Sequence, residues 1–87
     1  MKVKQNALVL FNINQEGEYG LLNPLTRKLH KINDTGRFIW EACAEPKELT
    51  QLSILVSEHY NIPLEAAAKD VKEFVDHMMR FELLEEV

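Results

Sequence analysis

The hydrophobic pattern of this chain changes period once, at Asn33, and that change fixes the order of its secondary structure. Before Asn33 the apolar residues come in short runs rich in strand formers and bounded by turn residues. After it they recur every three or four residues over long stretches, as on one face of a helix. The junction is residues 29–40, LHKINDTGRFIW. A short strand, Lys28–Ile32, turns through Asn33-Asp34-Thr35-Gly36 and becomes a helix carrying Phe38, Ile39 and Trp40. Asn33 suits an N-cap, because its side-chain oxygen can accept from backbone N–H groups two or three residues on. Asp34 places negative charge at the positive end of the helix dipole. Gly36 in the first helical turn costs up to ~1 kcal/mol relative to alanine, which marks a place where the helix backbone comes close to another element. Trp40, the only tryptophan, is the natural anchor where sheet meets helices.

Three strands are predicted ahead of the junction: residues 7–13 (ALVLFNI), 19–22 (YGLL) and 27–32. In the first, Ala7, Val9, Phe11 and Ile13 share one face and Leu8, Leu10 and Asn12 the other. Residues 14–18 (NQEGE) are turn chemistry, with Gly17 available for positive φ. In Asn23-Pro24-Leu25-Thr26 the proline suits the second position of a β-turn. Short loops between successive strands make a β-meander. Residues 1–6 (MKVKQN) are polar and expected to fray.

Beyond the junction the first helix runs to about Ala44, where Glu45-Pro46 ends it. The second covers 48–60, with Leu49, Leu52, Val56 and Tyr60 on one face. Asn61-Ile62-Pro63 breaks the chain again. The third covers 64–81: Ala67, Val71, Phe74 and Met78 form a stripe that Ala68 and Val75 widen. Lys69, Lys72, Glu73, Asp76 and Arg80 take its polar side. Residues 82–87 form a tail whose Leu83 and Leu84 fold back onto the core. Three strands are too few to close a barrel, so the helices must cover one sheet face. The expectation is one α+β domain over residues 1–87, winged-helix-like, with a three-stranded antiparallel meander followed by a three-helix bundle (β-β-β-α-α-α).

Composition narrows the function. A net charge of −4 gives no general attraction to nucleic-acid phosphates. One cysteine, Cys43, excludes an internal disulfide and a cysteine zinc cluster, and fits a reducing compartment. No signal-peptide pattern and no membrane-length apolar run is present, so a cytoplasmic protein without membrane association is expected. The chain lacks a Gly-rich phosphate loop and a nucleophile elbow. Glu73 and His77, one turn apart on the third helix, read as a solvated surface pair rather than metal ligands. Cys43, beside Glu41 and Glu45, has no cation to lower its pKa and reads as a packing residue. No catalytic residue, metal or cofactor is predicted.

The third strand says more. It is an edge of the meander, and an edge leaves backbone N–H and C=O groups unpaired. Arg27, Lys28, His30 and Lys31 make this edge cationic. Such charges guard an edge against self-association, and they equally favour an acidic peptide arriving by strand addition. On the third helix, Val71, Phe74, Val75 and Met78 are most simply core. Their arc is nevertheless wider than one contact face requires, and part of it would line a groove if the helix lies beside the third strand. Met78 and Met79 would suit such a groove, since methionine adapts to varied partners.

Together these residues resemble the PqqD family, also called RiPP recognition elements. The resemblance is carried by Leu21-Leu22-Asn23-Pro24, Leu29 to Ile32, and Asn33-Asp34-Thr35-Gly36 with Ile39-Trp40. It continues in Leu52, Val56 and Tyr60, then Asp70-Val71, Phe74-Val75 and Leu83-Leu84-Glu85. The N-x-T-G-x-x-I-W run in its strand-to-helix setting is its most specific part. The chain departs from the family pattern at Glu82, where glycine is common, at Glu48, where threonine is common, and at Pro63, where aspartate is common. All three departures lie at caps and turns.

The resemblance implies a small domain that binds the leader segment of a ribosomally made precursor peptide as a fourth antiparallel strand. The edge would be Lys28, Leu29, His30, Lys31 and Ile32. The helix side would be Asp70, Val71, Phe74, Val75 and Met78. It further implies a non-catalytic peptide carrier that presents its guest to a modifying enzyme: a leader protease or cyclase in a lasso-peptide pathway, or a radical-SAM enzyme in a pyrroloquinoline quinone type pathway. The alternative is a winged-helix DNA-binding regulator. Recognition helices usually carry exposed basic residues, and residues 48–60 contain none.

Overall fold

The computed structural model describes residues 1–87. The chain forms β1 (Lys2–Gln5), β2 (Leu10–Ile13), β3 (Tyr19–Asn23), β4 (Lys28–Ile32), α1 (Asp34–Ala42), β5 (Lys47–Glu48), α2 (Leu49–Tyr60), α3 (Leu64–Arg80) and β6 (Leu84–Glu86). The three expected strands and three expected helices are all present, in an α+β arrangement. The meander is antiparallel in the order β2-β3-β4. Its register aligns Phe11, Leu21 and His30 in one row and Leu10, Leu22 and Leu29 in the next. Leu21 is fully buried while Leu10 and Leu29 are exposed, so the first row faces the helices and the second faces away.

One expectation fails at the N-terminus. Residues 2–5 are not frayed: β1 is the centre of a second antiparallel sheet, β5-β1-β6, and Val3 is 0% exposed. The Gln5 N–H donates to the Cys43 carbonyl at 2.9 Å and the Asn6 N–H to the Leu83 carbonyl at 3.0 Å. The Gln5 side-chain amide donates to the Trp40 carbonyl at 2.7 Å. What orders KVKQ is its remote partners, Lys47-Glu48 and the C-terminal tail; its own pattern holds a single strongly apolar residue. The tail buries Leu83 and Leu84 as expected and pairs as a strand besides. The expected β-β-β-α-α-α order therefore stands in β2, β3, β4, α1, α2 and α3, with three short strands, β1, β5 and β6, added to it.

The first meander strand is also shorter than 7–13. Asn6 ends the preceding segment: its Oδ1 accepts from the Leu8 N–H at 3.0 Å and its carbonyl from the Val9 N–H at 3.0 Å. That Asx turn delays regular pairing to Leu10.

Local chemistry explains the helix limits. The Asn33 Oδ1 accepts from the Gly36 N–H at 2.8 Å, capping α1. At α2, Glu48 and Gln51 form a capping box, with the Glu48 N–H donating to the Gln51 Oε1 at 2.8 Å. Asn61 closes α2 in the left-handed conformation, φ 53°, a cap that asparagine tolerates. α3 begins after Pro63 and is followed by Phe81 and Glu82. Trp40, Leu52, Val56, Ala67, Val71, Val75 and Met78 meet Val3, Leu21, Ile39, Leu83 and Leu84 in one core. No helix is long and apolar enough to cross a membrane.

Candidate functional site

β4 is hydrogen-bonded to β3 alone, so its other border is uncovered by the protein's own backbone. The chain places α3 and the start of α1 alongside that border. Between them lies a groove of about 430 Å³, within the range of ligand pockets. Lys31 and Ile32 line it from β4, Asn33, Thr35, Gly36 and Ile39 from the α1 side, and Asp70, Glu73, Phe74, His77 and Met78 from α3.

Gly36 sets the groove's width. A Cβ there would stand 2.7 Å from Phe74 Cε1 and 3.2 Å from Ile32 Cβ. The close approach expected of this glycine is therefore real, and α3 and β4 are the elements it approaches. Phe74 and Ile32 are half-buried and pack against the core. Ile39 and Met78 underlie the floor and expose almost nothing.

Ten residues were expected at a binding site, and the structure divides them. Ile32, Lys31, Asp70, Phe74 and Met78 converge on the groove. Lys28, Leu29 and His30 belong to the same open strand but lie outside the groove lining. Leu29 points to the outer sheet face, 54% exposed, and its Cδ1 leans over Gly20. Val71 and Val75 are 1% and 0% exposed and fall outside the groove lining; they pack in the core behind it. Helix rotation makes the difference, since Val71 and Val75 sit one step round from Asp70, Phe74 and His77. Asn33, Thr35, Gly36, Ile39, Glu73 and His77 complete the lining without having been expected there. Glu73 and His77 were readable from spacing, for 70, 73, 74 and 77 follow the i, i+3, i+4, i+7 rule for one helix face.

The electrostatics are mixed rather than simply cationic. Lys31 Nζ lies 3.4 Å from Glu18 Oε1, and that lysine together with Asn14 holds the exposed Glu18 carboxyl below its usual pKa, the Asn14 hydrogen bond contributing most. Asp70 and Glu73 on the opposite wall form no ion pair. His30 stacks obliquely on Phe81 with ring centroids 4.7 Å apart, and His77 meets both rings edge-on, at 6.2 Å from His30 and 4.9 Å from Phe81. The Nε2 of His30 is buried with no hydrogen-bond partner. Burial above all, then the nearness of His77 and Lys28, holds its pKa below the ordinary imidazole value.

Cys43 lies away from the groove, fully buried. Burial pushes its thiol pKa up to about 11, against a smaller opposite pull from Lys47. It is protonated at neutral pH and carries no nucleophile. No group of three or more histidine, cysteine, aspartate or glutamate side chains converges as a metal site.

The family model described as coenzyme PQQ synthesis protein D (PqqD) matches residues 18–84. No curated protein sequence matches the chain. Three solved structures share its fold. TbiB1 in complex with the TbiA(beta) leader peptide is 21% identical, with TM-score 0.80, over 97% of this chain and 96% of that one. A lasso peptide synthetase B1 complexed with its leader peptide is 13% identical, with TM-score 0.79, over 97% and 98%. The PqqD truncation of Methylobacterium extorquens PqqCD, a stand-alone RiPP recognition element, is 12% identical, with TM-score 0.79, over 98% and 89%.

Proposed function

The chain belongs to the PqqD family, and from that premise we propose that it is a peptide-recognition protein that holds a precursor's leader segment on the β4 border. The observation that carries this reading is one unpaired strand edge beside one groove of side-chain size. The leader adds to β4 as a fourth antiparallel strand. Backbone hydrogen bonds give sequence-tolerant pairing, and alternate guest side chains enter the groove and select for shape. Ile32 and Phe74 supply its apolar surface, with Met78 under the floor and Val71 and Val75 packed behind. Lys28 and Lys31 face acidic guest residues, and Asp70 is the polar contact on α3. Two proteins of the same fold form complexes with leader peptides, which supports a leader as the guest.

Affinity follows from the same geometry. Ordering a flexible leader costs a few kcal/mol, leaving roughly −8 to −10 kcal/mol, or micromolar to tens of nanomolar. The protein performs no chemistry in this reading. Its contribution is effective concentration: it tethers the precursor to a modifying enzyme such as a leader protease, a cyclase or a radical-SAM enzyme.

The test uses a fluorescently labelled leader peptide, taken from a short precursor where the neighbouring reading frames encode one and otherwise the TbiA(beta) leader, with binding read by anisotropy. His30 and Lys31 are adjacent on an edge strand, so their N–H groups point to opposite borders. Of the variants His30→Pro and Lys31→Pro, one loses a ladder bond to β3 and is destabilised. The other keeps its fold and loses binding at least a hundredfold. Two folded proline variants that both bind like the parent would refute strand addition.

A further inference from the structure

We propose that His30, with His77 and Phe81, forms a proton-operated latch between β4 and α3 that holds the groove in shape only while His30 is neutral. The inference rests on the reading of this groove as the leader site and adds regulation to it.

The geometry is that of a closed aromatic triangle. His30 lies in the middle of β4 on the face towards the helices, directly across from the buried Leu21 of β3. Its ring is 4.7 Å from Phe81, the residue that ends α3, and 6.2 Å from His77, in the last turn of α3. His77 also lines the groove. The three rings therefore join the edge strand to the wall that faces it, at one end of the cleft.

Nothing around His30 is prepared for a positive charge. Its Nε2 is sealed from solvent without a hydrogen-bond partner, an uncommon state for a buried polar atom. The charged or titratable groups that face it are Lys28 on its own strand and His77 on α3, both of which oppose protonation. Glu73, one turn before His77, and Arg80, three residues after it, form no ion pair with His30, and no other carboxylate does. Leu21 and Phe81 are apolar. The doubly protonated ring of the half-buried His30 carries an Nε2–H donor and a charge, and at the sealed Nε2 no acceptor meets them; such a group is satisfied only by water. Admitting water means parting β4 from the end of α3. A guest strand on β4 would dehydrate the site further, so guest and proton exclude one another. By reciprocity, guest binding expels the proton, and affinity falls by up to tenfold per pH unit once the pH is below the His30 titration.

The free protein decides the matter first. His30 is titrated by NMR from pH 8 to pH 5 while hydrogen-exchange protection of the β4 amides is followed. The latch requires protection of residues 29–32 to fall in step with His30 protonation, and to persist at pH 5 in His30→Phe. His30→Gln, which takes up no proton, serves where the phenylalanine variant does not fold. Protonation of His30 with β4 unchanged, or equal loosening in the variants, overturns the proposal. The second arm measures the same labelled leader peptide across the same pH range. The latch requires the dissociation constant of the parent to rise on acidification and that of the variant to stay flat, whatever its value at pH 8; a parent whose affinity ignores pH overturns it. A leader that fails to bind even at pH 8 refutes the guest-site reading instead, and the free-protein arm still judges the latch.

Discussion

Replacing Gly36 by alanine tests the groove at its narrowest point. The new Cβ would stand 2.7 Å from Phe74 Cε1, 3.2 Å from Ile32 Cβ and 3.3 Å from Asn33 Oδ1. Carbon atoms in contact prefer ~3.5–4.0 Å, so the Phe74 ring edge must retreat by about 1 Å. Two effects on stability oppose each other. Alanine favours the helix by up to ~1 kcal/mol, and overpacking costs ~1–3 kcal/mol. Phe74 is half-buried at an open groove, so its ring can swing outward, which keeps the cost near the low end. The variant should therefore lie between neutral and about 2 kcal/mol less stable, at about 4–8 °C in Tm per kcal/mol.

Binding should suffer more than folding, because the displaced ring occupies the space the guest needs. Losing burial of one apolar guest side chain costs ~1.5–3 kcal/mol, or roughly ten- to a hundredfold in Kd. Thermal melts and leader anisotropy on the same sample separate the two effects. Adding Phe74→Leu to Gly36→Ala should recover part of the binding by removing the ring edge. A Gly36→Ala protein about 1 kcal/mol more stable than the parent, with unchanged affinity, would show that the Phe74 contact limits nothing.

Trp40→Ala should cost ~3–5 kcal/mol and leave the chain largely unfolded at 37 °C, because Trp40 is buried in the shared core and a domain this small has little margin; a far-UV melt checks it. Val3→Lys should destabilise by several kcal/mol, since it forces an ammonium into a fully buried site on the central strand of the second sheet. Denaturant unfolding reads that change, and a loss under 1 kcal/mol would mean that β1 contributes little.

What could be read from the residues alone was whatever depends on neighbours in sequence. The Asn33 cap, the Gly36 approach, the Trp40 anchor and the meander all rest on local patterning, and each stands where it was expected. Strand pairing between distant segments has no local signal. KVKQ and LEE are both short and mostly polar, and only their encounter creates β1 and β6. The site was legible to the same degree. Helix periodicity read Val71 and Val75 as most simply core, which their burial matches, and only the family resemblance set them beside the groove residues. A rotation of one residue, about 100°, separates lining from backing. Asn33, Thr35 and Ile39 were recognised for their roles in α1, and their place in the groove depends on how α1 sits against α3.

The meander has two open borders, and backbone pairing alone does not choose between them. β2 presents Leu10 and Ile13, both exposed, and no charged side chain from Leu10 to Ile13; β4 presents Lys28 and Lys31. By apolar exposure β2 is the stickier border. Only β4, however, has a helix wall beside it, so only there can a guest bury side chains while it pairs. One well-buried apolar side chain contributes ~1.5–3 kcal/mol, and two such anchors together give roughly 3–6 kcal/mol of preference for β4 over an edge without a groove, some hundredfold or more in affinity. The lysines then act as discrimination: they discourage a second copy of the same cationic edge and leave an acidic or neutral strand free to enter. Lys28→Glu with Lys31→Glu should therefore weaken an acidic leader mainly by slowing its association, a loss that added salt partly relieves by screening the new repulsion, while leaving the groove contacts intact. A leader that bound this reversed edge as tightly as the parent, at low salt, would show that the groove alone makes the selection.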